Sequence, residues 1–416
     1  MPYQVKDINL HDQGLRNIEW AEKQMGALMA VQKRFQKEKP LKGYRIGMAL
    51  HVTKETAALV RTLRVGGAEV AITSCNPLST QDDVAAALAY EDVPVYGHKG
   101  ESREDYYRFL NEVIAFKPHI TIDDGCDLVS EIHTKHAHLL KDVAFGCEET
   151  TTGVVRLRAM ERDGALKYPM IAVNDCHTKH LMDNFYGTGQ SAIDGIIRAS
   201  NLLISGKTFV VVGYGNCGKG VAARARGLGA EVVVTEVDPF CALQARMDGF
   251  RVMPMEQAVE IGDVFVTVTG GKHAVRADQA ERMKDGAVLA NAGHFDIEID
   301  VAGIEKLAKR KREIRPLFEE YTIGDRAIYL CGEGRLVNLA CAEGHPSTVM
   351  ALSFCDQALG VEYGIRHYRD MEPKVYRLPD EIDQEVARLQ LKAMGVEIDA
   401  LTAEQKAYLG SWKEGT

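Results

Sequence analysis

The sequence predicts an α/β protein built from two doubly wound parallel sheets, followed by a helical tail at the C-terminus. Short apolar runs typical of buried strands alternate with helical patterns over residues 44–173, and a second alternation begins at residue 207. The last segment, residues 380–416, is helical in pattern and rich in charged residues. At 416 residues the chain is long enough for two or three domains.

Composition and charge exclude several classes of protein. Hydrophobic and charged shares of 46% and 26% are ordinary for a soluble globular protein. The 50 basic and 59 acidic residues leave a net charge of -9, which argues against a nucleic-acid surface. A polar N-terminus and the lack of long apolar runs predict neither a secretory signal nor a membrane span. Nine cysteines without C-x-x-C spacing indicate reduced thiols, so we expect a cytoplasmic protein.

The first half of the chain has the pattern of one long helix followed by a sheet. Residues 15–37 carry apolar side chains at helical spacing, which predicts an amphipathic helix. Six apolar runs then predict strands, with helical segments between most of them: Tyr44–Leu50, Glu69–Thr73, Val93–Tyr96, His119–Ile122, Val143–Gly146 and Met170–Val173. This alternation is typical of a parallel sheet covered by helices on both faces.

The second half opens on a glycine-rich turn between a strand and a helix. Phe209–Val212 has the pattern of a buried strand, and Gly213, Gly215 and Gly218 follow it as G-x-G-x-x-G. The first glycine permits a tight turn, the second lets the backbone approach a pyrophosphate, and the third allows close helix packing. The N-terminus of the next helix offers unpaired N–H groups to that pyrophosphate. The pattern therefore predicts a dinucleotide site.

An acidic residue indicates which dinucleotide binds. The strand Glu231–Thr235 ends at Glu236, whose carboxylate can accept hydrogen bonds from both ribose hydroxyls and would repel a 2′-phosphate. NAD is therefore favoured over NADP as the cofactor. Strands over Arg251–Met253, Val264–Thr269 and Ala287–Ala290 complete a Rossmann domain.

The segments around this domain give four further expectations. Residues 187–192, although rich in glycine, follow no buried strand and predict a helix start. The basic tetrad 309–312 predicts a solvated helix end. Residues 317–330 should return the chain towards the first domain, and a helix should follow around 348–360.

Polar side chains cluster where the predicted strands end. They are His51, Asp123, Asp124, Glu148, Glu149, Asn174, Asp175 and, in the second domain, His294. In open parallel sheets the ligand crevice lies outside the carboxyl ends of the strands. A single residue such as Thr53 or Asn174 could serve only as a helix cap. Histidines and carboxylates at so many successive strand ends instead favour a polar crevice facing a bound nicotinamide.

Three nearby histidines raise the alternative of a metal site. His133, His136 and His138 lie within six residues of one another. We expect them to lie on an exposed helix, and we predict no metal.

Eight segments, spread over nearly the whole chain, match one known family in the same order. They are LHVTKETAALV (50–60), SCNPLSTQDD (74–83), TIDDGCDL (121–128), EETTTGV (148–154), VNDCHTKHLMDNFYG (173–187), GYGNCGKG (213–220), NAGHFDIEID (291–300) and EGRLVNLACAEGHPS (333–347). On these segments the chain resembles the S-adenosylhomocysteine hydrolase (adenosylhomocysteinase) family, in particular its short-tailed archaeal and thermophile-like branch.

The resemblance implies reversible, NAD-dependent hydrolysis of S-adenosyl-L-homocysteine, a nucleoside thioether, to adenosine and L-homocysteine. In the family, tightly bound NAD+ oxidises the ribose 3′-hydroxyl, and the ketone acidifies the C4′ proton. Homocysteine then leaves from C5′, water adds, and NADH returns the hydride. Some archaeal relatives prefer S-inosyl-L-homocysteine. A buried carboxylate such as Glu55 or Glu343 can accept a hydrogen bond from either base, so both substrates stay open.

The resemblance also implies catalytic roles for residues at the strand ends. Lys179 and Asp183 would contact the ribose hydroxyls. Lys179 would be the base for the 3′-oxygen, if burial or a neighbouring cation lowers its pKa. Asp124 would take the C4′ proton, and Glu149 would hold the ribose hydroxyl network.

The remaining implied roles concern the leaving group, the purine and the cofactor. His51 and His294 would handle the leaving sulfur and the attacking water, because imidazole donates and accepts protons near neutral pH. Thr53, Glu55 and His345 would line the base pocket. The implied NAD contacts are Thr150, Thr151, Thr152, Asn184, Gly213, Gly215, Asn216, Cys217, Gly218, Glu236, Asn291, Ala292, Gly293, His294, Asn338 and His345.

The family further implies a domain plan. Residues 1–184 and 346–379 would form a discontinuous substrate-binding domain, 185–345 an inserted Rossmann domain, and 380–416 a helical tail. Hinge closure would bring the catalytic residues against the nicotinamide. The chain would assemble as a homotetramer. Two rivals stay open: a 2-hydroxy-acid dehydrogenase that releases NADH, and an NAD-binding module without catalysis.

Several positions differ from the better-known members of the family. Thr188 stands where those members have a cysteine, and Cys241 where an asparagine often contacts the adenosine ribose of NAD. Asn216 replaces an acid in the glycine loop, and Glu343 replaces a methionine before the base-pocket histidine. The C-terminus, YLGSWKEGT, lacks the Lys-Pro-Asp-His-Tyr-Arg-Tyr segment that reaches a neighbouring subunit's NAD site in many relatives.

Overall fold

The computed structural model describes residues 2–413, which form two open α/β sheets and a C-terminal pair of helices. The fold class predicted from the sequence is confirmed. Among these residues no helix is both long and apolar enough to span a bilayer. All nine cysteines lie in this part of the chain and are free thiols.

The strands and helices alternate along the described residues. The strands are β1 (Arg45–Ala49), β2 (Glu69–Thr73), β3 (Val95–Tyr96), β4 (Ile120–Asp123), β5 (Phe145–Glu148), β6 (Met170–Ala172), β7 (Thr208–Val212), β8 (Glu231–Thr235), β9 (Arg251–Val252), β10 (Val264–Thr267), β11 (Ala287–Asn291), β12 (Arg310–Arg315), β13 (Phe318–Ile323), β14 (Arg326–Cys331) and β15 (Val375–Tyr376). The helices are α1 (His11–Gln24), α2 (Gly26–Glu38), α3 (Lys54–Val65), α4 (Asp82–Tyr90), α5 (Arg103–Ala115), α6 (Asp127–Lys135), α7 (Thr151–Arg162), α8 (His177–His180), α9 (Thr188–Ser200), α10 (Asn216–Gly227), α11 (Pro239–Met247), α12 (Met255–Ile261), α13 (Ala277–Ala280), α14 (Val301–Leu307), α15 (Val337–Ala340), α16 (Ser347–His367), α17 (Asp380–Ala393) and α18 (Ala403–Leu409).

The first sheet contains only parallel pairs, in the order β15-β6-β5-β4-β1-β2-β3. Every residue of β4 and β5 is buried, as expected for strands with helices on both faces. The chain leaves this sheet after β6 and returns to it only with β15. The second sheet is therefore inserted between two strands of the first.

The second sheet, in the order β12-β13-β14-β11-β10-β7-β8-β9, is parallel from β14 to β9. Its far edge is an antiparallel β12-β13-β14 meander that the patterns did not predict. The expectation that residues 317–330 return the chain to the first domain was wrong, because they form the β13-β14 hairpin of this sheet. The return comes later, through α15 and the segment that follows it.

The basic tetrad 309–312 is not a helix end, since its last three residues open the edge strand β12. β12 is exposed along its whole length. Arg312 Nε lies 2.6 Å from a carboxylate oxygen of Glu320 on β13, and Lys311 Nζ lies 3.1 Å from Glu319. Cross-strand ion pairs thus stabilise the start of β12, and the charged edge discourages pairing with another sheet.

The helix predicted over residues 15–37 is two helices. The chain breaks at Met25, whose φ of -99° and ψ of 46° leave the helical region. Both helices contact α3 and α16, but α1 packs mainly against α4, whereas α2 also packs against α17. The sequence is helical in pattern throughout, so the break follows from the two different packing surfaces.

The three neighbouring histidines do not share a helix. α6 ends at Lys135, so His136 and His138 lie beyond it. His133 Nδ1 lies 2.7 Å from the carbonyl oxygen of Val129, and His136 Nε2 lies 2.6 Å from Asn111 Oδ1. These two rings are therefore engaged with different partners.

The glycine-rich turn has the predicted geometry. Gly213 has a φ of +106°, and a Cβ on Gly218 would collide with the carbonyl oxygen of Gly213. Gly215 has open space where a Cβ would lie, which leaves room for a ligand against the backbone. Glu236 follows β8, and its carboxylate accepts hydrogen bonds from the N–H groups of Tyr214 and Val237, each at 2.6 Å.

Candidate active site

A cleft of about 760 Å³ lies at the carboxyl ends of the two sheets. Residues after β1, β4 and β5 line it from the first sheet, and residues after β7, β10 and β11 line it from the second. Segment 336–345 and the first turns of α16 close one side. The carboxyl ends of parallel strands meet at one edge of a sheet, which explains why residues distant in sequence converge here.

One group of residues in the cleft consists of two histidines on either side of a carboxylate. His51 Nε2 lies 3.4 Å from Asp124 Oδ2, and His294 Nδ1 lies 3.5 Å from Asp124 Oδ1. Asp124 and His294 are 7% and 9% exposed. The thiol of Cys75 donates to Asp124 Oδ2 over 3.6 Å. His51 and Asp124 follow strands of the first sheet and His294 follows β11, so the group joins both domains.

His51 has polar partners at both ring nitrogens. Its Nδ1 lies 2.7 Å from Ser79 Oγ, and that hydroxyl donates to the carbonyl oxygen of Asn76 at 3.0 Å. One ring nitrogen of His51 thus faces a hydroxyl and the other faces the Asp124 carboxylate, so both are within reach of a polar partner. Burial lowers the pKa of His51 to about 4, so the ring is neutral at neutral pH. His51 can accept a proton inside the cleft.

A second group surrounds a buried lysine. Lys179 Nζ lies 2.9 Å from Asn184 Oδ1, 3.4 Å from Asp183 Oδ1 and 4.0 Å from Glu149 Oε1. Burial by itself would lower the pKa of Lys179, but the carboxylates of Asp183 and Glu149 together raise it above its usual value. The condition of a lowered pKa, on which the role of Lys179 as a base depends, is not met by these protein groups alone. The ammonium stays charged and donates hydrogen bonds.

Glu149 is held from the side opposite Lys179. Ser353 Oγ donates to one carboxylate oxygen, and Gln357 Nε2 donates to the other at 2.6 Å. Burial raises the pKa of Glu149 to about 7, although the nearby Lys179 ammonium lowers it. Glu149 can therefore gain or lose a proton near neutral pH.

Asp183 joins the lysine group to the segment that follows α15. His345 Nε2 lies 3.2 Å from Asp183 Oδ1, and His345 Nδ1 lies 3.0 Å from Ser191 Oγ. Burial would raise the pKa of Asp183, but Lys179 and His345 lower it below its usual value. The carboxylate stays charged and is ready to accept hydrogen bonds from a ligand.

The predicted base pocket lies at the N-terminus of α3. Thr53 caps this helix through Thr56 N at 3.4 Å, so the helix-cap alternative holds for Thr53 while it also lines the cleft. Glu55 is 2% exposed, and Ser347 Oγ donates to it at 2.6 Å. Glu343 lies at the entrance of the cleft, paired with Lys54 at 3.0 Å and Arg198 at 3.2 Å.

Comparison with known proteins decides the family. The family model described as S-adenosyl-L-homocysteine hydrolase matches residues 2–143, and the model of its NAD binding domain matches residues 184–344. The S-inosyl-L-homocysteine hydrolase of Methanocaldococcus jannaschii is 60% identical over 414 residues, covering 100% of both chains. The adenosylhomocysteinases of Aquifex aeolicus and Saccharolobus solfataricus are 59% and 56% identical over 418 residues, again covering 100% of each chain.

The chain belongs to the S-adenosyl-L-homocysteine hydrolase family. Its second domain is the NAD-binding domain of that family, and NAD is the cofactor. The residues present fit this cofactor, since Gly215 leaves its backbone open to the cleft and α10 begins directly behind it.

Most of the residues predicted to hold NAD line the cleft of this family member. Those that do so are Thr150, Thr151, Thr152, Asn184, Gly215, Asn216, Cys217, Ala292, Gly293, His294, Asn338 and His345. Gly213 and Gly218 shape the turn beneath, and Glu236 lies beside it. Asn291 is 0% exposed and donates to the carbonyl oxygens of Gly293, Phe295 and Gly334. It therefore supports the loop that carries His294 instead of reaching the cleft.

Thr188, one of the positions that differ from well-known members of the family, lies in the cleft beside a cysteine. Thr188 Oγ1 lies 3.5 Å from Cys217 Sγ and 3.4 Å from His345 Nε2. A thiol is thus present beside Thr188, but it comes from the glycine loop. Cys241, by contrast, does not line the cleft.

Sequence reasoning missed the residues that orient the predicted ones. Ser79 and Cys75, which contact His51, lie in the segment SCNPLSTQDD. The match of that segment to the family could have indicated that these two residues belong to the site. Ser353 and Gln357 lie on α16, far from any strand end, and carried no signal. Asp383 on α17 accepts hydrogen bonds from the N–H groups of α8, and the pattern of that helix gave no sign of this contact.

Proposed function

We propose that this chain catalyses the reversible, NAD-dependent hydrolysis of S-adenosyl-L-homocysteine to adenosine and L-homocysteine. The observation that carries the proposal is the meeting of two groups in one cleft. The Lys179 group suits two ribose hydroxyls, and the His51–Asp124–His294 group suits proton transfer and departure of a thiol. The adenosylhomocysteinases among its relatives support the same substrate.

The lysine group would bind and orient the ribose. Lys179 Nζ would donate to the 3′-oxygen, while Asp183 and Glu149 would accept from the ribose hydroxyls, because both carboxylates border Nζ. NAD, when bound beside this group, supplies a hydride acceptor and a positive charge that lowers the pKa of Lys179. With its pKa lowered, Lys179 would first pass one ammonium proton to the neighbouring carboxylate of Glu149, and the neutral amine would then take the 3′-hydroxyl proton onto Nζ.

The histidine group would act on C4′ and C5′. Asp124 would accept the C4′ proton on its carboxylate, since it lies between the two imidazoles and close to Lys179 in the cleft. The neutral ring of His51 would exchange a proton with the leaving sulfur or the attacking water. His294, from the other domain, would close the cleft over these atoms and exclude bulk water.

We propose the domain plan 1–184 with 346–379 for substrate, 185–345 for NAD, and 380–416 as the tail. The family matches over 2–143 and 184–344 support these limits. We also propose a cytoplasmic homotetramer, which family membership supports. Light scattering coupled to size-exclusion chromatography tests the tetramer, and elution at the mass of one chain would overturn it.

S-Inosyl-L-homocysteine is a second candidate substrate. Lys54 Nζ lies 3.4 Å from Glu55 Oε1 and 3.0 Å from Glu343 Oε2. Burial lowers the pKa of Lys54, but the two carboxylates raise it more, so the ammonium is charged. A charged donor beside the base pocket suits O6 of hypoxanthine, which accepts, better than N6 of adenine, which donates. The Methanocaldococcus jannaschii relative is named for this substrate.

Thiol release by NAD-loaded protein, measured with both thioethers at equal concentrations, tests the proposal. Faster release from the adenosyl compound supports the main proposal, and faster release from the inosyl compound favours the second. If the protein binds NAD but releases thiol from neither compound, it is an NAD-binding module without catalysis. A steady rise of NADH with a 2-hydroxy acid would identify a dehydrogenase.

Replacement of Lys54 by methionine separates the two bases. Lys54→Met keeps an unbranched apolar side chain and removes the ammonium group that donates hydrogen bonds. We expect the ratio of inosyl to adenosyl kcat/KM to fall by about tenfold or more, the worth of one hydrogen bond to a charged group. Lys33→Met, at an exposed position on α2, is the matched control. An unchanged ratio would remove Lys54 from base selection.

A further inference from the structure

One face of helix α16 carries three buried polar side chains behind the lysine group. Ser353, Asp356 and Gln357 are three and four positions apart, so they lie on the same side of the helix, and each is 0% exposed. Ser353 and Gln357 hold the carboxylate of Glu149. Asp356 has no part in the reaction proposed above, and its hydrogen bonds indicate a different task.

The hydroxyl of Thr178, the residue before Lys179 on α8, lies between two carboxyl groups. Its Oγ1 is 2.8 Å from Asp356 Oδ2, and it is also within hydrogen-bond distance of Asp383 Oδ1 on α17. A hydroxyl carries one proton, so Thr178 can donate to one of these oxygens and must accept from the other. One of the two carboxyl groups therefore holds a proton.

The surroundings place this proton on Asp356. Asp383 already accepts hydrogen bonds from the N–H groups of His177 and Thr178, as a carboxylate does. In the part of the chain that the structure describes, Asp356 Oδ1 has no hydrogen-bond partner. Burial raises the pKa of Asp356 well above its usual range, and the charge of Asp383 adds to this rise, although the hydroxyl of Thr178 opposes it. Asp356 therefore donates to Thr178, and Thr178 donates to Asp383.

We propose that Asp356 is a positioning residue that sets the distance between Lys179 and Glu149. Its hydrogen bond to Thr178 joins α16 to α8, and Lys179 follows Thr178 directly in the chain. The same face of α16 holds Glu149. One helix thus holds both sides of the 4.0 Å contact between Lys179 Nζ and Glu149 Oε1. The inference rests on the proposed function, in which a proton passes between these two groups.

This distance affects the acidity of Glu149. Burial raises the pKa of Glu149 to about 7, and the charges of Asp183 and Asp124 add to this rise. The ammonium of Lys179 opposes the rise. If α8 moves away from α16, this opposition weakens, and Glu149 loses its proton only at higher pH. A protonated Glu149 cannot receive a proton from Lys179, so a loosened link should slow oxidation of the ribose most at low pH.

Thr178→Val and Thr178→Ser test the link through the oxidation step. Valine keeps the shape of threonine and removes the hydroxyl, whereas serine keeps the hydroxyl. Reduction of bound NAD by adenosine, followed by absorbance, measures the step. We expect Thr178→Val to slow it by about tenfold or more near neutral pH, with a smaller change in the apparent Kd for adenosine. The midpoint of its pH profile should rise by about half a unit or more. Thr178→Ser should match the parent protein.

Thr134→Val, at an exposed position on α6, is the matched control and should change neither the rate nor the pH profile. Equal slowing by Thr178→Val and Thr178→Ser would overturn the positioning role. So would a slow Thr178→Val with the pH profile of the parent protein. Thermal unfolding shows whether each variant is folded. Asp356→Asn, whose amide can donate to Thr178 in place of the acid, should keep the rate within about threefold, and a larger loss in the folded variant would contradict the role.

Infrared absorption tests the proton on Asp356 without enzymatic activity, and it remains available if Thr178→Val does not fold. A protonated carboxyl group absorbs apart from carboxylates, and its band shifts when the aspartate carboxyl carbons are ¹³C. Burial raises the pKa of Asp123 to about 7, so at pH 9 that residue is ionised. At this pH we expect a protonated-aspartate band that Asp12→Asn keeps and Asp356→Asn removes. No band in the parent protein, or a band that persists in Asp356→Asn, would overturn the proposed hydrogen bond.

The inference and the proposed function fail in different ways. A parent protein that neither reduces bound NAD with adenosine nor releases thiol would overturn the proposed function, and with it the catalytic consequence of the link. The infrared band would still decide whether Asp356 donates to Thr178. An active parent protein whose Thr178→Val variant is folded and equally fast would overturn the inference alone.

Discussion

At the scale of the residue, protonation states decide what each polar group in the cleft can do. Lys179 is charged because two carboxylates outweigh its burial, and Asp183 is charged because Lys179 and His345 surround it. His51 is neutral because burial disfavours its cation. Identical residue types would act differently with other neighbours, and the sequence does not specify those neighbours.

Asp124→Asn tests the base assigned to C4′. The amide keeps the shape but cannot take the proton, so oxidation at C3′ should proceed while elimination stops. We expect reduced nicotinamide to accumulate on the protein, and thiol release to fall by about 10²–10⁴-fold. Absorbance of the reduced cofactor and a thiol assay, run together, measure both. Thiol release at the normal rate would contradict the role of Asp124.

Glu101 provides a prediction about pH that is independent of the cleft. Burial raises the pKa of Glu101 to about 8, and its Oε1 has no hydrogen-bond partner. The folded protein therefore holds a proton that the unfolded chain loses near pH 4.5, so stability should fall as pH rises from about 4.5 to 8. Glu101→Gln should reduce the loss of unfolding free energy between pH 5 and pH 9 by roughly 2–5 kcal/mol. Parallel pH profiles for parent and variant would refute this prediction.

At the scale of the element, the strand ends position the catalytic turns through buried acids. Glu148, the last residue of β5, accepts from Gly125 N at 2.8 Å and Thr150 N at 3.1 Å. These two N–H groups follow Asp124 and Glu149 directly in the chain. Asp123 at the end of β4 accepts from Asp124 N at 3.0 Å. One strand-end side chain thus ties two neighbouring turns together.

Glu148→Ala and Glu148→Gln test this positioning. Burial and the nearby Asp123 raise the pKa of Glu148 well above its usual range, so the side chain is neutral and glutamine imitates it. We expect Glu148→Ala to lower kcat for thiol release by about tenfold or more. A misplaced catalytic group slows the chemical step more than it weakens the binding of substrate. KM should change less. Glu148→Gln keeps the accepting oxygen and should retain most of the activity, and equal impairment of the two variants would exclude the acceptor role.

At the scale of the whole molecule, the C-terminal helices divide into two parts. α17 packs against α2, α8 and α16, whereas every residue of α18 is exposed. Asp383 on α17 is buried and accepts from His177 N at 2.5 Å and Thr178 N at 2.9 Å. The tail helix therefore caps α8, which carries Lys179.

Asp383→Ala should affect both stability and catalysis. It leaves two N–H groups at α8, of which that of Thr178 is buried, without their acceptor, and this costs about 1–3 kcal/mol of unfolding free energy. We also expect slower thiol release, because α8 carries Lys179. Chemical unfolding and the thiol assay measure the two effects. Glu381→Ala, at an exposed position two residues earlier in α17, is the matched control. An equal response from both variants would contradict the capping role.

The strand-end residues were predictable because their convergence follows from chain order alone. Once parallel strands are recognised, His51, Asp124 and Glu149 must meet at one edge of the sheet, and His294 lies at the same edge of its own sheet. The glycine turn was predictable because its backbone geometry admits few other residues. Ser353, Gln357 and Asp383 were not predictable, because distant helices bring them to the site through packing that has no local signature.

The sequence by itself determined the fold class, the dinucleotide turn, the family and the set of polar residues at the strand ends. These depend on periodicity, on glycine conformations and on matched segments, all of which are local properties of the chain. The tertiary structure alone decided that Lys179 is charged, that Asn291 lies beneath the cleft, that α17 supports α8, and that most of the basic tetrad lies in an edge strand. Each of these depends on neighbours far apart in the chain, because burial and the fields of nearby charges exist only once the chain has folded.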